Sequence, residues 1–257
     1  MSFLQRFRFS AAAHAGAQPS RPVRVGGSVA SGGRTGTPAS PVSVPASTQA
    51  GPAYAPRAPR PSNGLKELLW HLDGVGRGQI LDVGPVWQTT VGFFIERGFR
   101  VYSEDLLSEW QSFLSDEHAK VRALGPGESD EDMTPAGRAE RFLAMTLQHR
   151  AGTLDGVLLW DLLDYCDSAL GARVVARVTS LVRDGGVVLA LFHSRKPADF
   201  HRYRVLDGQN LELVGAPCSI APQRVFQNRE IQDSFSKFRS SKTFVSRDQL
   251  REGLFIK

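Results

Sequence analysis

The sequence predicts an α/β domain, a mostly parallel sheet with helices on both faces, behind a long tail that forms no core. Three observations carry this. From residue 64 onward, short apolar runs bounded by glycine alternate with stretches of helical periodicity, and strands separated by helices need crossover connections that pair them in parallel and bury both sheet faces. Near the end the alternation gives way to a hairpin around Asp207-Gly208, a strong tight-turn pair. Finally, composition changes abruptly at residue 63: residues 1–63 hold seven arginines and no lysine, aspartate or glutamate, and are dense in Ala, Ser, Gly and Pro.

The elements follow in order. In "NGLKELLWHL", Leu65, Leu68, Leu69 and Leu72 fall at i, i+3, i+4 and i+7 and make one apolar helical stripe. "GVGRG" then releases the chain into Ile80–Val83, short, apolar and glycine-bounded, as a buried parallel strand should be. Thr89 or Thr90 caps a helix through Arg97, which Gly98 ends. "FRVYSED" reads as a second strand and "SEWQSFLSDEHAKVRAL" as a helix. "GPGESDEDMTPAG" is a polar acidic loop, and "ERFLAMTLQ" holds a helix and then a short third strand. "LDGVLLWD" is a continuous apolar strand ending on an acid, and Leu170, Val174, Val178 and Leu181 form the next helical stripe before "RDGG" turns the chain. "GVVLALF" is another buried strand, "YRVLDGQNLELV" the hairpin and "NREIQDSFSKF" a helix; strands near "KTFVS" and "EGLFIK" close the domain.

The tail and the remainder carry different charge. All of the excess is in residues 1–63, which are +7, whereas residues 64–257 hold 24 basic against 26 acidic residues. A segment so poor in apolar bulk cannot offset the entropy of ordering it, so residues 1–63 are expected to be disordered and residues 64–257 to be the folded domain. A basic flexible arm attracts anionic partners weakly, by Coulomb force alone. The Arg-rich, acid-free start "MSFLQRFRFSAAAHAGAQ" also has the composition of an organelle transit peptide, but lacks the apolar core of a secretory signal. No stretch approaches the ~18 apolar residues of a membrane span. Cys166 and Cys218 lie far apart and suggest no disulfide frame, so a reducing, cytoplasmic setting is the default reading. The six histidines have no zinc spacing and the acid run lacks calcium-loop spacing, so no metal site is expected. No Walker A sequence or serine nucleophile elbow occurs.

The stretch "ILDVGPVWQTT" carries the chemistry. It is an apolar strand ending in Asp82, with Gly84 at the turn and a helix beyond. Together with the acid pair Glu104 and Asp105 closing the second strand, "LDGVLLWDLLDY" and "LVRDGGVVLALF", it resembles the class I S-adenosylmethionine-dependent methyltransferases over about residues 65–257. The resemblance implies a doubly wound, Rossmann-like, mostly parallel sheet with a late antiparallel strand, S-adenosyl-L-methionine as cofactor, and transfer of its methyl group to an acceptor that the sequence does not identify, a small molecule being favoured. A nicotinamide-binding domain fits worse, because "GPVWQT" does not supply the G-x-G-x-x-G spacing.

The site residues follow from that resemblance and from strand-end geometry. A doubly wound sheet binds its ligand beyond the carboxyl ends of the strands. Asp82, Gly84 and Pro85 would form the first turn, where a residue without a Cβ lets backbone approach the cofactor. Asp105, 21 residues after Gly84, would accept the ribose hydroxyls with Glu104 beside it, or else cap the next helix. Gln148 is the nearest polar candidate for the adenine amine, or a loop amide. Trp160 would border the cofactor; Asp161 would bind or deprotonate the acceptor, or cap the following helix, and Tyr165 would form a pocket wall. The pattern also departs from the family's: Val86 and Gln88 stand where it repeats glycine, with Trp87 between. Either the turn takes another path or Trp87 closes the pocket. A degenerate, methyltransferase-like binding module is therefore the alternative to an enzyme. "DLLDY" lacks the Asn/Asp-Pro-Pro-Tyr/Phe signature of base and glutamine amino-group methylation, which removes support from a nucleic-acid amine acceptor.

Overall fold

A computed structural model describes residues 58–124 and 134–257 of the chain. In chain order the elements are β1 (Arg60–Pro61), α1 (Asn63–Leu72), β2 (Gln79–Asp82), α2 (Gln88–Ile95), β3 (Arg100–Ser103), α3 (Leu106–Leu124) and α4 (Pro135–Leu143). They continue with β4 (Leu154–Trp160), α5 (Leu162–Tyr165), α6 (Ser168–Leu181), β5 (Val182–His193), β6 (His201–Val205), β7 (Asn210–Gly215), α7 (Asn228–Ser234), β8 (Ser240–Val245) and β9 (Leu250–Ile256).

The main sheet has the order β3-β2-β4-β5-β9-β8. β3, β2, β4 and β5 are parallel, and β9 runs against both of its neighbours. This is the doubly wound, mostly parallel Rossmann-like sheet with a late antiparallel strand. Strand order reverses beside β2, which opens a crevice at the carboxyl ends of β2 and β4. The central strands read as unbroken apolar runs because both faces are covered: every residue of β4 is buried, as are Val187–Phe192 of β5 and Leu250–Ile256 of β9.

Local chemistry explains the helices. Ser62 caps α1 by accepting the Leu65 N–H, and Leu65, Leu68 and Leu72 turn the predicted stripe into the sheet. Asp167 caps α6 through the Leu170 N–H, and Leu170, Val174, Val178 and Leu181 are all buried. Arg60, Pro61 and Ser62 also belong to the ordered fold, ahead of the boundary expected at residue 63, because Arg60 pairs with Glu252 and Asp248 and Ser62 donates to Glu252.

Some elements differ from expectation. α2 begins at Gln88 with Trp87 at its cap and no side-chain cap bond, so neither Thr89 nor Thr90 caps it, and it ends at Ile95. Thr90 is instead occupied by a strand from elsewhere, accepting the Val205 N–H at 2.9 Å. α4 starts at Pro135 behind a Thr134 cap, inside the segment read as loop; the acidic residues 125–133 lie outside the described residues. No strand lies between α4 and β4, where residues 144–153 are all described. The segment 144–149 is held as a loop, with Glu104 accepting the Leu147 N–H and contacting His149, and Arg177 donating to the Leu147 and His149 carbonyls. Its backbone groups are thus partnered by side chains, and no neighbouring strand is needed.

β6 and β7 form the predicted hairpin, closed by Asp207 accepting the Gln209 and Asn210 N–H groups. With β1 they make a second, three-stranded sheet. Contact of β6 with α2 places this hairpin against the crevice of the main sheet.

Candidate functional site

The crevice is a small, nearly filled cleft bordered by Gly84 and Pro85 of the first turn, Trp160 and Asp161 at the end of β4, and Arg202 and Tyr203 of β6. Asp82 anchors its floor. It is fully buried, and its Oδ1 accepts both the Gly84 N–H at 2.9 Å and the Trp160 indole N–H at 2.6 Å. Its Oδ2 has no hydrogen-bond partner among the described residues. Burial pushes this carboxyl up to about 6 against the lowering effect of its two donors.

Trp160 sits here because β4 carries one residue more than its pairing with β5 requires, so the register shifts between Leu158 and Trp160. Its backbone takes φ +50°, a left-handed conformation that costs a bulky residue about 1–3 kcal/mol. The indole lies so close to the first turn that a Cβ on Gly84 would meet Trp160 Nε1 at 3.0 Å. Tyr203 stacks on the same indole, with centroids 5.7 Å apart and planes 12° apart.

Asp105 stands at the start of α3 and serves two ends. It caps that helix, accepting the Ser108 N–H at 3.2 Å and the Ser108 hydroxyl at 2.8 Å. It also receives Arg202 Nη1 at 2.8 Å, while Arg202 Nη2 donates to Ser108 Oγ at 2.8 Å. Of the two alternatives for this residue, the helix cap is present, and the oxygen that would face a ribose is paired with Arg202.

Asp161 borders the cleft, buried, and accepts the Tyr203 hydroxyl at 3.2 Å. Its side chain caps nothing, although its backbone occupies the α5 cap position. Burial pushes it up to about 7, with His193 opposing and Asp164 adding to the rise. His193 Nδ1 lies 2.9 Å from Asp164 and 3.8 Å from Asp161. Burial alone would lower the His193 pKa, but the bond to Asp164 and the two carboxylates raise it. Asp161 and Tyr203 thus stand at the wall of the cleft, with the hydrogen-bonded pair His193 and Asp164 behind them.

Three sequence candidates lie elsewhere. Tyr165 is buried in the core, edge-on to Phe200 at 5.1 Å, and is not among the cleft's lining residues; α5 turns it inward. Glu104 points at the 144–149 loop, where His149 and the Leu147 N–H hold it below the usual carboxylate range despite burial. Gln148 donates to the Leu143, Ala144 and Thr146 carbonyls, which ties it to the end of α4. The first turn resolves the question of the missing glycines: Val86 points outward, 63% exposed, and Trp87 is half-buried beneath the Arg204 guanidinium at 5.3 Å. The aromatic residue against Gly84 is Trp160, not Trp87. Sequence reading missed Arg202, Tyr203 and His193. Their only signal was membership of a hairpin and a strand end whose positions over the crevice are set by the fold.

The polar groups fit an adenosyl sulfonium in kind: a glycine turn, a carboxylate at the end of the second parallel strand, and a buried, half-satisfied Asp82. The space does not fit it while Trp160, Arg202 and Tyr203 stand as described. Among the described residues no helix is long and apolar enough to cross a membrane.

No protein-family model matches the chain, and no curated protein matches it in sequence. Solved structures resemble its backbone. A 1,6-didemethyltoxoflavin-N1-methyltransferase of Burkholderia thailandensis, with 1,6-didemethyltoxoflavin and S-adenosylhomocysteine bound, is 18% identical with a TM-score of 0.42, over 76% of each chain. A SAM-dependent methyltransferase of Aquifex aeolicus is 12% identical with a TM-score of 0.40, over 76% of this chain and 89% of its own. A glycopeptide N-methyltransferase complexed with S-adenosylmethionine is 14% identical with a TM-score of 0.36, over 76% and 94%.

Proposed function

We propose that the chain is an S-adenosyl-L-methionine-dependent methyltransferase for a small-molecule acceptor. The observation that supports this best is a cleft lined by Gly84, Asp161 and Arg202, with Arg202 bonded to Asp105, where three adjacent parallel strands end. That is where doubly wound sheets take their ligands. In this reading Gly84 and Pro85 admit the cofactor's backbone-facing side, Asp105 holds the ribose hydroxyls, and Trp160 supplies an aromatic wall.

The bound cofactor supplies an electrophilic methyl group on a sulfonium. The protein's share is positioning, plus removal of a proton where the acceptor is a hydroxyl or an ammonium. Asp161, pushed up to about 7, is poised to take that proton near neutral pH, and Tyr203 and His193 are close enough to share it. Glu104 and Gln148 support the neighbouring loop, and Tyr165 packs beneath.

Calorimetric titration with S-adenosylhomocysteine tests the reading. Binding is expected in the wild-type protein and a loss of at least about tenfold in Asp105→Ala, equivalent to about 1.4 kcal/mol. Heatless mixing at millimolar ligand would remove it. One observation favours a second reading, a binding module without cofactor: the crevice is filled by the chain's own Trp160, Tyr203 and Arg202. The basic tail, residues 1–63, is proposed as a weak electrostatic contact for anionic partners in a cytoplasmic protein. Deleting residues 1–57 is expected to abolish any retention on an anionic matrix at low salt.

A further inference from the structure

The chain fills its own crevice at several independent points. Arg202 occupies Asp105 Oδ1 and is bridged to it again through Ser108. Tyr203 stacks on Trp160 and donates to Asp161. The Val205 N–H is bonded to Thr90 on the helix that opens at the first turn, and Arg204 covers Trp87. Four consecutive residues of β6 therefore each hold another part of the chain, and Tyr203 holds two groups, Trp160 and Asp161, that line the cleft.

The surroundings of these contacts are less well satisfied than an ordinary protein interior. Asp82 Oδ2 and Trp87 Nε1 are buried without a hydrogen-bond partner among the described residues, and Trp160 holds its left-handed backbone. Orphaned buried polar atoms are uncommon, and a backbone strained beside them marks a place that a ligand or a second arrangement completes.

We propose that the β6–β7 hairpin is a strap that shuts the crevice, with Arg202 as its latch on Asp105, and that an adenosyl ligand enters only when Arg202 releases that carboxylate. The inference rests on the methyltransferase reading and adds its regulation: the ligand's ribose and Arg202 compete for one acid. Opening exchanges the Arg202–Asp105 pair for a ribose–Asp105 contact and frees the Val205 N–H from Thr90. The closed state lowers apparent affinity by the fraction of molecules that are open.

S-adenosylhomocysteine is the probe. Arg202→Ala is expected to bind it about tenfold more tightly than wild type. Ser108→Ala, which removes the bridging hydroxyl but keeps the charges, should move affinity the same way by a smaller factor, and it serves if Arg202→Ala does not fold. In the wild-type protein, saturating ligand should speed hydrogen exchange at the Val205 amide. Equal or weaker binding by the variants, or slower Val205 exchange with ligand, overturns the strap and leaves the methyltransferase reading standing. No binding by wild type and variants alike overturns both.

Discussion

Glu252 on β9 and Asp82 on β2 are both acids buried in the main sheet, 2% and 0% exposed. Glu252 spends both oxygens: Oε1 receives Arg60, and Oε2 receives the Ser62 hydroxyl at 2.9 Å and the Gly64 N–H. Asp82 crowds two donors onto Oδ1 and leaves Oδ2 bare. The first arrangement is what a staple looks like, a buried charge fully compensated so that residues 60–64 stay fastened to the sheet. In the second, burial holds the carboxyl protonated further up the pH scale, and it lies at the end of the sheet where strand order leaves a crevice. Burial alone therefore does not separate structural acids from site acids; the number of unfilled lone pairs does.

The largest test of that contrast is Glu252→Ala. Removing Glu252 leaves the Ser62 hydroxyl and the Gly64 N–H without their acceptor and Arg60 with Asp248 as its remaining carboxylate, so a loss of about 3 kcal/mol is expected in chemical denaturation. A loss under about 1 kcal/mol would dissolve the distinction. Asp82→Asn should do the opposite. The folded-state value of about 6 lies above the ~3.9 of an unfolded aspartate, so between these the unfolded chain binds fewer protons and stability falls as pH rises. The asparagine carbonyl keeps both donors and removes the charge. Thermal melts across pH should then show the variant gaining about 2–3 kcal/mol above pH 7, with no gain below pH 4. An advantage that grew on acidification would contradict the assigned direction.

Two glycines sharpen the comparison at smaller scale. A Cβ on Gly64 would lie 2.6 Å from Leu189 and 2.7 Å from Glu252 Oε2, both in packed surroundings, so Gly64→Ala is expected to cost about 1–3 kcal/mol. On Gly84 the nearest atom is Trp160 Nε1 at 3.0 Å. An indole beside a cleft can yield by a few tenths of an ångström, so Gly84→Ala should cost about 1 kcal/mol or less in stability while reducing S-adenosylhomocysteine binding. Equal stability costs at the two positions would show that the crevice is as rigid as the staple.

Much of this was readable in order along the chain. The stripe Leu65, Leu68, Leu72 and the runs Ile80–Val83, Leu154–Trp160 and Val187–Phe192 declare their elements, because burial on both faces demands unbroken apolar residues. The expected third strand after α4 failed for a specific reason. "AMTLQ" has strand-like composition, but Glu104 and Arg177 partner the loop's backbone, and those residues arrive from β3 and α6. Of the candidate residues, Gly84, Pro85, Trp160 and Asp161 line the cleft from the ends of their own strands, whereas Arg202 and Tyr203, which come from far along the chain, were illegible. Tyr165 was chosen for its nearness to Asp161 in sequence; Tyr203, 42 residues from Asp161, is the tyrosine that reaches it.

What the amino-acid sequence determined by itself is the set of elements and their order, since periodicity, caps and turn residues act over a few positions and need no knowledge of the rest. It also put an acid or a glycine at the end of each of three strands. Only the tertiary structure decided what those strand ends face. The hairpin 201–215 could have packed elsewhere by its own pattern. It lies on the crevice because Val205 bonds Thr90, Tyr203 stacks on Trp160 and Arg202 finds Asp105, three pairings between residues 43 to 115 positions apart. Contacts of that range depend on every intervening element being in place, which is why no local reading of the chain foretells them.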